Sequence, residues 1–240
     1  MSRPAGMLPV EHTNERRERM KIELSNKRPE NFTAYWEGQY EAFHHFEFAC
    51  GIPSVLLAIT TVKENGKPNV CLHAWSSFSG EGDGHFAVLG GLAKHSHTYQ
   101  NILRTGEFVV NFLSAAQYDA LIRTIHANTA EADEFEAGGL LREDAATVSC
   151  PRIAEAFLCL ECALEKQVDL TEQGKTSVLI GRVRHVALEE AYATEILPGD
   201  AGEKYGERGF MFNLHAPKNL RTGEGERSGV AILQMIRTDM

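Results

Sequence analysis

Two apolar runs joined by an Asn-Gly pair constrain the fold of this chain more than any other feature. Residues 52–62 are apolar on both faces of an extended chain, as expected of a strand that is covered on both sides. Asn65-Gly66 follows, and this pair is a strong hairpin signal because both residues tolerate positive φ. The returning strand is predicted over residues 69–78, which gives an antiparallel hairpin.

The rest of the chain carries several short strand patterns and few helical ones. Further strands are predicted over residues 84–91, 107–113, 156–170, 176–188 and 228–238. Helices are predicted over residues 99–105, 115–127 and 130–137, and the first and last of these end at glycine. About seven strands without βαβ alternation predict a mainly β fold, an antiparallel barrel with inserted helices.

The chain divides into an arm and one domain. Residues 1–48 form a charged and aromatic arm, and residues 49–240 are predicted to form a single barrel domain. Glycines are frequent over residues 189–227, which predicts a long loop at about that position. Residues 209–215 form an apolar island in this loop. The island must pack on something, and a partner subunit or a bound ring system would both serve.

Charge and cysteine content argue against several classes of partner and site. A formal net charge of −9 argues against a nucleic-acid or anionic-membrane partner. Five cysteines suit a reducing compartment, and with no recognisable signal peptide or membrane-spanning run we expect a soluble, cytoplasmic protein. Cys159 and Cys162 lie on a predicted strand and point to opposite faces, and His44-His45 lacks a third ligand. No metal site is predicted.

The predicted strand over residues 69–78 has two different faces. The face predicted to line the barrel interior is apolar and consists of Val70, Leu72 and Ala74. The opposite face is polar and aromatic and consists of Asn69, Cys71, His73, Trp75 and Ser77. Such a face either meets solvent or a neighbouring subunit, or it contributes to a binding site.

A cluster of cations and hydroxyl groups precedes the helix that begins near Tyr99. Lys94-His95-Ser96-His97-Thr98 places one lysine, two histidines and two hydroxyl groups at this helix start. Free N–H groups and the positive end of the helix dipole favour an anion there. A phosphate monoester suits the cluster, because Lys94 supplies charge and Ser96 and Thr98 supply hydrogen bonds. The alternative, that Ser96 or Thr98 only caps the helix, is compatible with this interpretation.

Other nucleotide-binding and nucleophilic motifs are absent from the sequence. It contains no G-x-G-x-x-G after a strand and no G-x-x-x-x-G-K-[ST], so a Rossmann or P-loop site is not expected. It also contains no G-x-S-x-G element.

Several fragments in one order resemble the flavin reductase-like family of FMN-binding split barrels. The similarity extends over about residues 50–190, and the fragments are co-linear. They are Leu-Ala-Ile-Thr-Thr at 57–61 with Gly66 and Asn69, Trp-Ser-Ser-Phe at 75–78, and the segments 96–102, 105–111, 133–140, 151–156, 160–162 and 180–183. The chain departs from the family at residues 79–84, where many members have a proline-containing turn, and in its C-terminal third.

The resemblance implies a six-stranded antiparallel Greek-key split β-barrel that binds FMN near a homodimer interface. The flavin ring would lie along His73, Ala74, Trp75, Ser76 and Ser77. The phosphate would lie beside Lys94, His95, Ser96 and Thr98, and Asn111 would be a further contact. Because the cofactor carries the chemistry, no catalytic side chain is nominated.

The function implied by the family is NAD(P)H-dependent flavin reduction, with hydride transfer through flavin N5. NADH or NADPH would be the reductant, and FMN would be either a cofactor or a substrate. One alternative is an FMN electron carrier that accepts electrons from a redox protein partner. Another is a flavin- or heme-binding split barrel without turnover.

Overall fold

The computed structural model describes residues 21–35, 37–45, 48, 50–194, 205–225 and 229–233. The helices are α1 (Gln39–His45), α2 (His97–Thr105), α3 (Tyr118–His126), α4 (Glu134–Gly138) and α5 (Glu190–Thr194), with a short 3-10 helix at Ala115–Gln117. The first strands are β1 (Ser54–Val62), β2 (Pro68–His73), β3 (Ser76–Glu81), β4 (Gly84–Ala93) and β5 (Glu107–Phe112). They are followed by β6 (Arg142–Glu143), β7 (Arg152–Ile153), β8 (Leu158–Val168), β9 (Thr176–Leu188), β10 (Met211–Asn213) and β11 (Val230–Ile232).

Within the described residues, nine strands form one antiparallel sheet, which confirms the predicted fold class. Their order is β11-β10-β1-β5-β8-β9-β4-β3, with β2 paired to β1. The predicted hairpin is β1–β2, and its turn places Gly66 at φ 80°. The sheet has two more strands than the seven predicted from the sequence pattern, for two reasons. The predicted strand 69–78 is broken at Ala74-Trp75 into β2 and β3, and the island at 209–215 contributes β10, which pairs with β1.

The inner face of the sheet encloses the main hydrophobic core. Leu57 and Ile59 of β1 meet Leu89 of β4 and Phe108 of β5, and all four are fully buried. A Cβ atom added at position 181 would lie 2.2 Å from Phe108 Cζ. Glycine at 181 therefore lets β9 pass close to the Phe108 ring, which fills the barrel interior.

The outer face of β1 and β2 packs under α3 and α4, which corrects one prediction. Val70, Leu72 and Ala74 belong to this outer cluster together with Leu121 and Phe135, whereas Cys71 packs against the inner core. Strand alternation shows which residues share a face, but both faces of β2 are covered here. The apolar face was therefore wrongly assigned to the barrel interior.

Other predicted elements match the structure to different extents. The strand predicted over residues 176–188 matches β9, whereas the helix predicted over 130–137 begins only at Glu134, because Asp133 caps it by accepting from Phe135 N and Glu136 N. The predicted loop 189–227 contains α5 and β10, and its residues 195–204 lie outside the described residues, as do residues 1–20 and 234–240. In the described part of the chain, every helix is too short or too polar to span a bilayer.

Candidate functional site

The break between β2 and β3 lies against a bulge in β4. The carbonyl oxygen of Trp75 accepts a hydrogen bond from Gly90 N at 2.6 Å. The pairing of β4 with β9 shifts register between Leu89 and Leu92, and Gly91 has φ 64°. A Cβ at position 90 would lie 3.1 Å from the Trp75 oxygen. The Gly90-Gly91 pair thus allows a close backbone approach at a β-bulge, a feature found frequently near active sites.

An aromatic cleft of about 230 Å³ opens at this bulge. Trp75, Gly90 and Gly91 form one wall, and residues 176–178 of β9 form another. Phe43 of α1 closes part of the cleft, with its ring 6.2 Å from that of Trp75 and nearly parallel to it. We refer to this space as the Trp75 cleft. Its walls suit a flat ring system.

His215 stacks on Trp75 and was not among the predicted site residues. The two ring centroids are 4.5 Å apart with an interplanar angle of 28°. His215 is 1% exposed, and its φ of 59° is unusual for a residue with a side chain. Its Nε2 lies 3.2 Å from Ser54 Oγ, and burial lowers the pKa of its imidazole. The only signal in the sequence was the apolar island, which had to pack on something.

His73 and Ala74 are buried beside the break, and Ser76 and Ser77 begin β3. His73 Nε2 lies 3.2 Å from the Trp75 oxygen, and burial lowers the pKa of His73 to about 4. The imidazole is therefore neutral at physiological pH and helps to hold the Trp75 carbonyl. Ser77 is exposed, whereas the Ser76 hydroxyl oxygen is buried without a hydrogen-bond partner among the described residues.

The predicted phosphate cluster begins α2, and Ser96 is its N-cap. The Ser96 hydroxyl accepts from Tyr99 N at 3.2 Å and donates to Ala93 O at 2.7 Å. The capping interpretation therefore accounts fully for this side chain. The N–H groups of the first helical residues, His97 and Thr98, have no acceptor within the helix, and free N–H groups at a helix start favour an anion.

The other members of the cluster differ in how accessible they are. Lys94 Nζ forms an ion pair with Asp169 Oδ2 at 2.7 Å, and this hydrogen bond is the main reason why the pKa of Asp169 is lowered. His95 is exposed. Thr98 is 2% exposed, and its hydroxyl accepts from Asn69 Nδ2 at 2.9 Å. Lys94, His95 and the backbone at 97–98 are thus the groups that could meet a phosphate.

Asn111 lies in the core and not at this surface, which corrects its prediction as a flavin contact. It is fully buried, and its Oδ1 accepts from Ile153 N at 2.9 Å. Its Nδ2 donates to Ala58 O at 3.3 Å and Thr60 Oγ1 at 3.2 Å. The amide joins β1, β5 and the residues of β7, so all its polar atoms are occupied.

A second unpartnered polar atom lies on the first residue of α2. Nδ1 of His97 is buried without a hydrogen-bond partner among the described residues. Buried polar atoms are nearly always paired, so each such atom calls for an explanation. Ser76 belongs to the segment predicted to lie along the flavin ring, whereas the His97 side chain lines a separate cleft with Lys63, Asn65 and Arg104. Lys94, His95 and the N–H groups at the start of α2 remain the donors that fit a phosphate group.

The family comparison agrees with this geometry. Residues 49–202 match the model of the family described as "Flavin reductase like domain". Two relatives, from Aquifex aeolicus and Halalkalibacterium halodurans, are 34% identical over 100 residues and 31% identical over 132 residues. The matches cover 42% and 50% of this chain, and 50% and 63% of those relatives. The names of these relatives assign no activity.

Solved structures with the same fold are more distant in sequence. Component B of nitrilotriacetate monooxygenase from Bacillus cereus is 20% identical with a TM-score of 0.67, covering 91% of this chain and 100% of that one. Flavoredoxin of Desulfovibrio vulgaris is 22% identical with a TM-score of 0.52, covering 58% and 72%. An NADH:FAD oxidoreductase of Streptomyces globisporus is 18% identical with a TM-score of 0.53, covering 74% and 86%. At these identities the likeness shows the fold alone.

Proposed function

We propose that this chain, which belongs to the flavin reductase-like family, binds FMN beside Trp75 and catalyses its reduction by NADH or NADPH. Membership of the family supports a flavin-linked oxidoreductase. The choice of FMN and of a nicotinamide reductant is the further step. Its main support is the Trp75 cleft at the Gly90-Gly91 bulge, and the Ser76 hydroxyl, one residue along the chain from Trp75, is buried without a hydrogen-bond partner among the described residues.

The Trp75 cleft would hold the flavin ring, and the start of α2 would hold the phosphate. The volume of the Trp75 cleft, about 230 Å³, is below the roughly 300–1,000 Å³ of sites that enclose a whole drug-sized ligand. The cleft is therefore suited to the ring system alone. The Ser76 hydroxyl can both donate and accept a hydrogen bond, which suits the polar edge of a flavin.

The phosphate would be recognised by charge and by backbone N–H groups. Lys94 supplies a cation at the start of α2. Its ammonium group, which pairs with Asp169, would then bind the phosphate as well. The first N–H groups of α2 add directional donors and the positive end of the helix dipole. His95 is exposed at the same turn and completes the predicted contacts.

The protein's part in the reaction is to bind and orient rather than to transfer protons. Bound flavin supplies the redox chemistry, accepting a hydride from a nicotinamide and passing on the electrons. His73 is neutral near pH 7 because burial lowers its pKa to about 4, so it fixes the Trp75 carbonyl and carries no ionisable proton there. Phe43 and Trp75 line the cleft, and His215 supports the Trp75 ring by stacking on it.

The proposal includes four further predicted properties. They are homodimerisation, a redox protein partner, a cytoplasmic location, and the division into an arm at residues 1–48 and a domain at 49–240. The family comparison covers about half to two thirds of the curated relatives, so the activity of the whole protein is likewise proposed.

Ser76→Ala tests the ring placement. The substitution removes one neutral hydrogen bond, worth about 1 kcal/mol, so we expect the dissociation constant to rise roughly fivefold. The loss should be equal for FMN and riboflavin, because Ser76 is assigned to the ring. Quenching of flavin fluorescence on titration with protein measures both constants.

Ser79→Ala is the matched control, since Ser79 lies on the same strand beyond the proposed ring segment. It should change neither constant by more than twofold. If Ser76→Ala behaves like Ser79→Ala, the ring does not lie against Ser76.

A further inference from the structure

A second cleft, larger than the Trp75 cleft, lies at the mouth of the barrel. Its volume is about 610 Å³, within the roughly 300–1,000 Å³ of small-molecule sites. We call it the barrel-mouth cleft. Its aromatic lining is made of Phe78, Phe86, Phe112 and Phe210. Three strands and the segment before β10 thus contribute phenylalanines to one concave space.

The phenylalanine rings present edges and faces at different angles. The Phe112 centroid lies 5.4 Å from that of Phe78 at 55° and 5.4 Å from that of Phe210 at 78°. Aromatic rings prefer such tilted or edge-to-face partners. Phe112 is buried, but Phe78 remains 43% exposed at the rim. A planar ring entering the cleft would cover Phe78 and meet Phe112 or Phe210.

The polar groups of the barrel-mouth cleft are few. Among the described residues that line it, Ser79 and His85 have the only polar side chains, and none is an acid, lysine or arginine. Gly80 of β3 pairs with His85, and because a Cβ at position 80 would lie 3.3 Å from His85 Nδ1, the glycine leaves room for the imidazole. Arg182 lies over the Phe86 ring but is held by Glu165, with Nε 3.1 Å from Oε2.

This distribution specifies the class of ligand. An anion or cation would lose its hydration in the cleft without gaining an opposite charge. A neutral ring with one hydroxyl or carbonyl group would instead place its apolar part among the phenylalanines and its polar group at His85. The rim residues Phe78 and Val186 are exposed and apolar, and both line the cleft.

We propose that the barrel-mouth cleft binds a neutral planar aromatic compound of one or two rings, separately from the flavin. The proposal rests on the contacts of the cleft and does not depend on the function proposed above. The Trp75 cleft shares no lining residue with it.

Isothermal titration of the full-length chain with 2-naphthol tests the proposal, with and without saturating FMN. We expect saturable binding at one site per chain, with the same affinity in both conditions. 2-Naphthoate, which has the same rings and a negative charge, should bind at least tenfold more weakly. Absence of saturable binding, equal binding of both probes, or displacement of 2-naphthol by FMN would each overturn the proposal.

Val186→Trp and Ile125→Trp locate the bound probe. Both wild-type side chains are about half exposed, but only Val186 lines the cleft. Val186→Trp should fill the cleft and weaken 2-naphthol binding at least tenfold, whereas Ile125→Trp on α3 should leave it unchanged. Equal effects would show that the probe binds elsewhere. A dimer that dissociates in Val186→Trp, without 2-naphthol binding in the wild type, would show that a second copy occupies the cleft.

Discussion

Glu134→Ala is expected to lower the free energy of unfolding by about 3–5 kcal/mol, the usual cost of removing one partner of a buried ion pair. Glu134 Oε1 lies 2.8 Å from Lys63 Nζ, and the two side chains are 2% and 5% exposed. Its Oε2 accepts from Val70 N at 2.6 Å. Lys63 also donates to Thr129 O and Ala132 O. The substitution leaves a buried ammonium group and an unpaired N–H.

Urea unfolding followed by circular dichroism measures this loss, and Glu136→Ala is its control. Glu136 lies two residues along the same helix and is exposed, so its removal should change stability by less than about 0.5 kcal/mol. Replacing Lys63 and Glu134 together by Met and Leu should restore most of the stability, because an apolar pair needs no counter-charge. If Glu134→Ala costs no more than Glu136→Ala, the ion pair does not hold the loop before α4 to the β1–β2 hairpin.

Lys94→Ala is expected to weaken FMN binding by about 10- to 100-fold while changing riboflavin binding by less than twofold. A hydrogen bond to a charged group contributes about 1.5–3 kcal/mol, and only FMN carries the phosphate. Lys94 is the better position for this test, because Ser96→Ala would also remove the N-cap of α2. Competition titrations with the two flavins at one ionic strength measure the difference.

Asp169→Asn is the matched control for the anion site. It keeps Lys94 and removes the carboxylate that pairs with it at 2.7 Å. FMN affinity should therefore be retained or increase. Equal losses of FMN and riboflavin in Lys94→Ala would contradict the phosphate assignment.

Local patterns explain why the strands could be predicted from the sequence. The Asn65-Gly66 turn and the apolar pattern act between near neighbours, and they predicted β1 and β9 with small errors at the ends, whereas the break between β2 and β3 was missed. The orientation of the faces depends on distant parts of the chain. Val70 and Cys71 could not be assigned to the outer and inner faces, because α3 and α4 cover the outer face with side chains as apolar as those inside.

The candidate site shows the same limit. The start of α2 was predictable because cations and hydroxyl groups are adjacent in sequence. Lys94 pairs with Asp169, and Trp75 stacks on His215. In both pairs the two residues are far apart in the sequence and come close only through the sheet. The resemblance implied that Asn111, at the end of a strand pattern, contacts the ligand. The sequence gives no sign of the three backbone groups that its side chain binds in the core.

The absorption spectrum of the protein with bound FMN, recorded anaerobically before and after addition of NADH or NADPH, tests the central claim most directly. The account predicts flavin bands that the protein perturbs and that bleach with one of the two nucleotides. Bands that persist with both nucleotides would contradict the reductase assignment and favour an electron carrier supplied by a protein partner. A spectrum identical to that of free FMN would contradict flavin binding itself.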